Sequence, residues 1–257
     1  MYPNEVRNDK NKSDVVQTET NQHYSATQNL NDAEIGLQSY NLDIIKKIAK
    51  DFRIKKFDKP KVKIVEFGAG TGALADIWRA EFGISPTCIE IDPNLAKLLQ
   101  SKGFEVYNLI SRVNEPIKYL YTSNVLEHIE DDLSALITIR QKMQLGSSLI
   151  IYVPALPILY SSHDKSIGHY RRYRKKELIK KVESAGFVVK KVYWNDSLGI
   201  LAALAVKVFG WKSTVGLGSK KSFVVYDKYV YPISKILDRL FFKKVIGKNL
   251  FLFAKAK

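Results

Sequence analysis

Short apolar runs alternate with amphipathic stretches through the centre of the chain. The apolar runs predict five β-strands, at residues 62–67, 86–91, 104–108, 118–123 and 148–154. Apolar positions at helical spacing predict helices at residues 41–53, 73–82, 93–102, 130–143 and 174–185. Strands that alternate with helices indicate βαβ units, so the pattern predicts an α/β fold with a parallel sheet.

The last third of the chain adds two strand patterns with a helical segment between them. The segment FVVKKVYW at 187–194 predicts a sixth strand, and NLFLFAKA at 249–256 predicts a seventh. Residues 197–246 contain helix-like stretches and form an insertion before the last strand. Residues 1–25 are polar with few apolar positions, which predicts a mobile tail. We therefore expect a single domain over 26–257.

Cysteine and histidine usage narrows the chemistry. Cys88 is the only cysteine, which excludes an internal disulfide and a multi-cysteine zinc site. It lies in a strand pattern, so we expect it to be buried. The four histidines lack the H-E-x-x-H spacing, so no metal site is expected. A polar start without an apolar core predicts no signal peptide, and we expect a cytoplasmic location.

Positive charge is concentrated in the last quarter of the chain. The formal net charge is +15, and residues 197–257 hold twelve lysines and arginines against two aspartates, mixed with apolar and aromatic residues. This mixture suits a packed helix with a lysine-rich solvated face, an anionic membrane surface or an anionic substrate. The longest apolar stretch, 197–211, is shorter than the ~20 residues of a spanning helix. Peripheral contact with the inner face of the membrane stays an alternative.

Glycines follow the first predicted strand at every second position. The strand ends on Glu66, and Gly68, Gly70 and Gly72 follow it. Glycine lacks Cβ, so its backbone can approach a bulky ligand closely. Open α/β sheets bind ligands at this carboxyl edge of the strands. In the dinucleotide fingerprint the third glycine stands three positions after the second, whereas here it follows after two.

The second predicted strand also ends in acidic residues. The Glu90 carboxylate can accept hydrogen bonds from ribose hydroxyls, as the acid at this position does in dinucleotide folds. Asp92 precedes Pro93, a pairing typical of a helix N-cap followed by the first helical residue. We therefore interpret Glu90 as a ligand residue and Asp92 as a cap.

These features, together with two later motifs, resemble the class I S-adenosylmethionine (SAM) methyltransferases. The segment N-x-L-E-H at 124–128 follows the fourth strand, and V-P-A at 153–155 precedes G-H-Y-R-R-Y at 168–173. The last pair resembles a bacterial subgroup connected with small molecules and cell-surface glycans. The resemblance implies a Rossmann-like sheet of seven mostly parallel strands with an antiparallel last strand and helices on both faces.

The resemblance also implies SAM as the cofactor and a set of residues around it. Lys118 stands where relatives usually carry Asp, and Asn108 stands where they often carry an acid for adenine. Glu127 and His128 can face the pocket. The implied cofactor residues are Glu66, Gly68, Ala69, Gly70, Gly72, Glu90, Ile91, Asn108, Asn124, Leu126 and Tyr40.

Methyl transfer needs alignment of an activated donor and, for an oxygen or nitrogen acceptor, removal of a proton. Histidine suits that base role, and we expect His169 to fill it, with His128 or His163 as alternates. The arginines of the loop can hold an acceptor phosphate or carboxylate, or can pair with nearby acids. The expected substrate-binding residues are Tyr160, Tyr170, Arg171, Arg172 and Tyr173.

The sequence thus predicts transfer of the SAM methyl group to a hydroxyl or amine of a small-molecule, sugar or lipid-linked glycan acceptor. Two alternatives stay open, a NAD-dependent oxidoreductase and a non-catalytic SAM-binding or membrane-associated accessory protein. A nucleic-acid substrate is disfavoured, because SNVL at 123–126 replaces the Asn/Asp-Pro-Pro-aromatic motif of enzymes that methylate DNA amino groups.

Overall fold

Seven strands in the described part of the chain form one mixed sheet. They are β1 (Ile64–Phe67), β2 (Thr87–Ile89), β3 (Val106–Tyr107), β4 (Ile117–Ser123), β5 (Met143–Pro154), β6 (Phe187–Asn195) and β7 (Asn249–Ala256). Their order is β3-β2-β1-β4-β5-β7-β6, with β1 to β5 parallel and β7 antiparallel to both its neighbours. This computed structural model describes residues 36–55, 62–209 and 219–257, so the predicted tail lies outside the described residues.

Helices cover both faces of the sheet. They are α1 (Gln38–Phe52), α2 (Ala73–Phe82), α3 (Pro93–Ser101), α4 (Asp132–Lys142), α5 (Ser162–Ser166), α6 (Lys175–Ser184), α7 (Gly199–Phe209), α8 (Lys220–Val225) and α9 (Tyr231–Leu240). Successive side chains of a strand point to opposite faces. Ile150 and Tyr152 of β5 therefore pack in the core with α1 and α2, whereas Leu149 and Ile151 pack with α4 and α6. This arrangement confirms the predicted fold.

The observed strand bounds differ from the predicted ones at β3 and β5. β5 begins at Met143, directly after α4, and its first residues include the exposed Leu145 and the left-handed Gly146. These positions carry no alternation of buried and exposed residues, so the sequence pattern did not reveal them. β3 is only two residues long and pairs with β2 at one edge of the sheet. Cys88 is fully buried, as predicted.

The predicted helical insertion lies between β6 and β7 and contains α7, α8 and α9. A π-helical turn, Tyr226–Val230, joins α8 to α9. Two buried carboxylates attach the insertion to the domain. Asp227 accepts hydrogen bonds from the backbone N–H groups of Ser39 and Tyr40, both at 2.8 Å, and Asp238 accepts one from Asp196 N at 2.7 Å. Among the described residues, no helix has the length and apolar character needed to cross a membrane.

The carboxyl ends of the parallel strands bring four loops to one edge of the sheet. The glycine turn follows β1, Glu90 follows β2, and residues 124–128 follow β4. The loop after β5 is held across this edge by a backbone hydrogen bond of 2.8 Å from Tyr170 N to the Glu127 carbonyl. The candidate residues that are distant in sequence therefore meet at the edge where open α/β sheets bind ligands.

Candidate active site

The glycine turn after β1 is shaped by its contact with the loop after β4. Gly68, Gly70 and Gly72 all have positive φ, at 76°, 55° and 86°. A Cβ added at Gly68 would stand 2.4 Å from a methyl carbon of Val125, closer than real Cβ contacts. The N–H groups of Gly68 and Ala69 both donate to the Ile89 carbonyl, at 2.9 and 3.1 Å. Because its glycines carry no side chains, this turn can pack closely against the end of β2 and the loop after β4.

Glu90 holds the glycine turn and the start of α3 together. Its Oε2 accepts a hydrogen bond from Gly70 N at 2.8 Å, and its Oε1 accepts one from Asp92 N at 2.9 Å. A carboxylate has about four lone-pair sites, so both oxygens can accept further bonds. Asp92 accepts bonds from Asn94 N and Leu95 N at 2.8 and 3.0 Å, which confirms its predicted role as the N-cap of α3.

Four further predicted cofactor residues lie close to this turn along the chain or the sheet. Glu66 is buried at the end of β1, beside the Tyr121 hydroxyl. Ile91 follows Glu90, and 78% of it is exposed. The hydrogen bond from Glu90 N to the Tyr107 carbonyl, at 3.0 Å, places the exposed Asn108 beside the end of β2. Asn124 is exposed after β4 with a φ of 53°.

Two predicted cofactor residues have other surroundings. The Leu126 side chain is fully buried in the core, so only its backbone can face the site. The hydroxyl of Tyr40, on α1, is hydrogen-bonded to the Tyr152 hydroxyl at 2.6 Å and accepts a bond from Asn249 Nδ2 at 2.7 Å. The Tyr40 ring packs 4.6 Å from the ring of Tyr231. The structure therefore places Tyr40 in a buried polar network beneath the insertion.

A buried carboxylate organises the loop after β5. Asp164 is 1% exposed, and its Oδ2 accepts two hydrogen bonds from Ser161, from N and Oγ, both at 2.9 Å. Arg172 donates to both carboxylate oxygens, at 2.8 and 3.2 Å. Burial alone raises the pKa of Asp164, but hydrogen bonds and charge from His169 and Arg172 outweigh it and hold that pKa well below its usual range. Asp164 is therefore an ionised anchor.

Asp164 also sets the orientation of His169. The Nδ1 of His169 lies 2.9 Å from Asp164 Oδ1, and its Nε2 lies 3.9 Å from Glu127 Oε1. The ring of His128 stands perpendicular to that of His169, with centroids 4.5 Å apart. Loss of solvation and the neighbouring His169 lower the pKa of His128 to about 4. The structure thus brings two of the three candidate histidines together, with the carboxylates of Asp164 and Glu127 on either side of the His169 ring.

Glu127 is the most unusual group in the site. It is fully buried, and neither carboxylate oxygen accepts a hydrogen bond from the described residues. Burial raises its pKa to about 8, although the proximity of its own backbone N–H and the charge of Arg172 oppose the shift. Buried polar groups are normally hydrogen-bonded, so an exception calls for an explanation.

His163 is not part of the group formed by Glu127, His128 and His169. It lies on the short helix α5, directly before Asp164, and burial lowers its pKa to about 4. This candidate is therefore not one of the three side chains whose ligand atoms come together.

The loop arginines pair with acids, which is one of the two alternatives that the sequence left open. Arg171 Nη1 lies 3.2 Å from Asp132 Oδ1, and its Nη2 donates to the Glu130 carbonyl at 2.7 Å. The Tyr173 hydroxyl donates to Asp132 Oδ2 at 2.6 Å, and Tyr173 is 3% exposed. Arg172 is held by Asp164. These three side chains are engaged within the protein, where they shape the loop.

The two other tyrosines of the loop lie on either side of His169. The Tyr160 hydroxyl donates to the His169 carbonyl at 2.6 Å and so supports the histidine backbone. The Tyr170 side chain is 53% exposed. Of the predicted substrate residues, Tyr170 is the one whose side chain is most open to solvent.

Sequence reasoning missed the organising role of Asp164 and Asp132. The signal for Asp164 was local, because Ser161 and Asp164 have the spacing of a capping box, which the structure shows on α5. Asp132 has no comparable local signal. Its partners Arg171, Tyr173 and Lys181 come from a loop and a helix that follow much later in the chain.

A family model described as a methyltransferase domain matches residues 36–192. Comparison with curated proteins gave no match. Among solved structures, a chain of the Haloferax volcanii complex between the Trm112 methyltransferase activator and a putative methyltransferase is similar, with a TM-score of 0.56 and 12% identity. The similarity covers 91% of this chain and 95% of that chain.

Two further structures share the fold. A SAM-dependent methyltransferase from Archaeoglobus fulgidus has a TM-score of 0.50 and 18% identity, covering 83% of this chain and 94% of that chain. Phosphoethanolamine N-methyltransferase 2 from Haemonchus contortus, solved with SAM, has a TM-score of 0.52 and 17% identity. That similarity covers 84% of this chain and 52% of that chain.

The tight contact at Gly68 generates a stability prediction with a matched control. Gly68→Ala and Gly83→Ala both place a side chain at positive φ, but a Cβ at Gly83 meets nothing within 4 Å. We expect Gly83→Ala to lower the free energy of unfolding by about 1 kcal/mol. Gly68→Ala should cost about 2 kcal/mol more, because Val125 must shift. Urea unfolding measures both, and equal losses would show that the turn does not depend on this contact.

Proposed function

Since the chain belongs to the methyltransferase-domain family, we propose that it transfers the methyl group of SAM to a hydroxyl, or an amine, of a small-molecule, sugar or lipid-linked glycan acceptor. The observation that carries the proposal is the bond between Gly70 N and Glu90 Oε2. It joins a turn without side chains to a buried acid at the next strand end, a combination that suits a charged nucleoside ligand.

The described residues around this turn fit SAM. The glycine turn offers backbone groups to the amino-acid part of SAM, and Glu90 offers carboxylate oxygens to the ribose hydroxyls. Ile91 presents an apolar surface to adenine, and the Asn108 amide is a hydrogen-bond partner for its edge. When bound, SAM supplies a methyl group on a sulfonium that is already activated for displacement.

His169 is the residue that removes the proton of the acceptor. The Asp164 carboxylate holds Nδ1 of this histidine, so Nε2, which lies 3.9 Å from Glu127 Oε1, is the nitrogen left to take the proton. A histidine held in this way has one ring nitrogen fixed and the other free to act as a general base. His128 lies beside it, with a lowered pKa that keeps its ring neutral. The acceptor would enter past Tyr170, the exposed aromatic side chain of the loop.

The rival functions predict different measurements. A NAD-dependent oxidoreductase would bind NADH, whereas the proposed enzyme binds SAM. A non-catalytic SAM-binding protein would bind SAM without any methyl transfer. A radiolabelled-methyl transfer screen against lipid, glycan, protein and nucleic-acid fractions of a lysate distinguishes an enzyme from a protein that only binds SAM. The fraction that becomes labelled identifies the acceptor class.

The insertion supports peripheral contact with an anionic membrane surface, because the polarity of α9 is reversed. Ser234 and Asp238 of α9 are buried and hydrogen-bonded to the loop after β6. Ile233, Ile236 and Leu240, at helical spacing, are between 54% and 61% exposed.

Charge on the insertion fits the same partner. Both of its acids, Asp227 and Asp238, are buried, so in residues 197–209 and 219–257 the exposed charges are basic. An apolar strip among lysines and arginines matches the boundary of an anionic bilayer.

Isothermal titration tests the cofactor assignment. We expect wild-type protein to bind SAM and Glu90→Ala to bind it at least about tenfold more weakly, because charge-assisted hydrogen bonds are lost. Asp92→Asn is the control, since asparagine also caps helices while one negative charge is removed nearby. Its affinity should stay within about twofold of wild type. No heat of binding for wild type at millimolar SAM would refute the assignment.

A second prediction concerns the base. His169→Ala should lose at least about 100-fold in the rate of methyl transfer, the usual scale of general-base catalysis, while its SAM affinity is retained. Lys165→Ala, an exposed change on α5, should keep wild-type turnover. Turnover that survives in His169→Ala but is lost in His163→Ala would move the base to His163.

Vesicle sedimentation tests the membrane surface. The double variant Ile233→Ser/Ile236→Ser should bind phosphatidylglycerol vesicles at least about tenfold more weakly than wild type, because buried apolar area is lost. Leu145→Ser is the matched control, since Leu145 is 82% exposed but lies on β5, outside the insertion. Wild-type binding should also weaken with added salt. Equal binding to phosphatidylcholine vesicles, or no effect of the double variant, would contradict the proposal.

A further inference from the structure

Three side chains from the loops after β4 and β5 lie close enough together to act as metal ligands. One ligand atom each from Glu127, His128 and His169 lie within 4.8 Å of one another. The residues come from two loops that are far apart in sequence, the one after β4 and the one after β5. A linear motif such as H-E-x-x-H therefore cannot contain these three residues.

Glu127 supplies an observation of a different kind. Its carboxyl group is fully buried, and neither oxygen accepts a hydrogen bond from the described residues. Charged or polar groups at such depth are normally hydrogen-bonded, paired or bound to a metal ion. An ion at this point would give both oxygens a partner that the protein does not provide.

His169 is oriented as metal-bound histidines usually are. Such a histidine gives its second nitrogen to a carboxylate, which fixes the ring. Here Nδ1 lies 2.9 Å from Asp164 Oδ1, and Nε2 lies 3.9 Å from Glu127 Oε1. Asp164 is in turn fixed by Arg172 and Ser161. The outer shell of a metal centre is therefore already built around this ring.

We propose that Glu127, His128 and His169 bind a single divalent first-row transition-metal ion. Two imidazoles and one carboxylate suit Zn²⁺, Mn²⁺, Fe²⁺ or Co²⁺, whereas Mg²⁺ and Ca²⁺ prefer sites made only of oxygen. Three protein ligands leave at least one coordination position open, as in catalytic metal sites.

The role of the ion rests on the proposed methyl transfer and deepens it. An acceptor hydroxyl at the open position would have its pKa lowered by the ion, and its proton would pass to water. The oxygen–methyl bond then forms as the sulfur–methyl bond breaks, which leaves S-adenosylhomocysteine. In the metal-loaded protein His169 is a ligand, so its direct role as base belongs to the metal-free protein.

Binding of Co²⁺ to protein stripped with a chelator tests the site without SAM or acceptor. We expect one Co²⁺ per chain with visible ligand-field absorption, displaced by Zn²⁺. Glu127→Gln and His169→Ala should abolish stoichiometric binding, and Asp164→Asn should weaken it about 10–100-fold, as the loss of outer-shell partners does. His163→Ala, a histidine of the same loop outside the group, should bind as wild type does.

Metal binding, methyl transfer and stability are measured separately, so that failure of the metal site can be told from failure of the proposed function. Glu127→Gln keeps the shape of the side chain and replaces a buried group that accepts no hydrogen bond, so thermal unfolding should show no loss of stability without metal. Absence of Co²⁺ and Zn²⁺ binding by wild type, or binding that survives in both Glu127→Gln and His169→Ala, overturns the metal site. Metal binding without methyl transfer would instead leave the site standing and refute the proposed function.

Discussion

The arrangement of the loop after β5 depends on one buried negative charge, that of Asp164. Asp164 gathers Ser161, His169 and Arg172, which belong to one loop but would have no fixed relation to each other without it. A buried carboxylate is costly unless it is paired and hydrogen-bonded, and here five donor atoms from these three residues meet that requirement. Because Tyr160 supports the His169 backbone and Tyr170 bonds to the Glu127 backbone, the position of the whole loop follows from this anchor.

The cofactor side is built by a different principle, close approach of backbone to backbone. The glycine turn makes bonds from its N–H groups to Ile89 and Glu90 and meets Val125 where a side chain would not fit. Few side chains are needed, so the turn leaves space for a ligand. Asp164 and Glu90 thus each hold a loop in place with a carboxylate, one after β5 and one after β1.

This difference explains how much of the site could be predicted from sequence. Gly68, Gly70, Gly72 and Glu90 carry their role in local spacing, because the turn and the strand end that form the cofactor side are local structures. The pairings of Arg171 with Asp132 and of His169 with Glu127 arise only when two distant loops meet. No periodicity records such a pairing, so Arg171 could equally be assigned to substrate or to an acid before the structure.

More of the fold than of the site could be predicted from the sequence, although some strand bounds could not. Strands with a buried alternation, such as β4, were predicted within one residue, whereas the exposed start of β5 was not. The cofactor expected from the motifs agrees with the SAM found in one structure of the same fold. The mixture of apolar and basic residues in the insertion did not by itself predict which side of each helix faces the protein. Only the burial of Ser234 and Asp238 shows that the polar side of α9 faces the protein.

Placement of the insertion links its exposed surface to the acceptor loop. Helix α7 packs against the turn Pro157–Leu159 and against α5, and Lys207 of α7 donates to the Ile158 carbonyl. The same α5 carries Asp164, the anchor of His169. Leu201, Val208 and Phe209 of α7 are between 64% and 72% exposed, so α7 presents apolar side chains to solvent. The insertion is therefore in direct contact with the helix that anchors His169, so a change in the packing of α7 is transmitted to this histidine through α5.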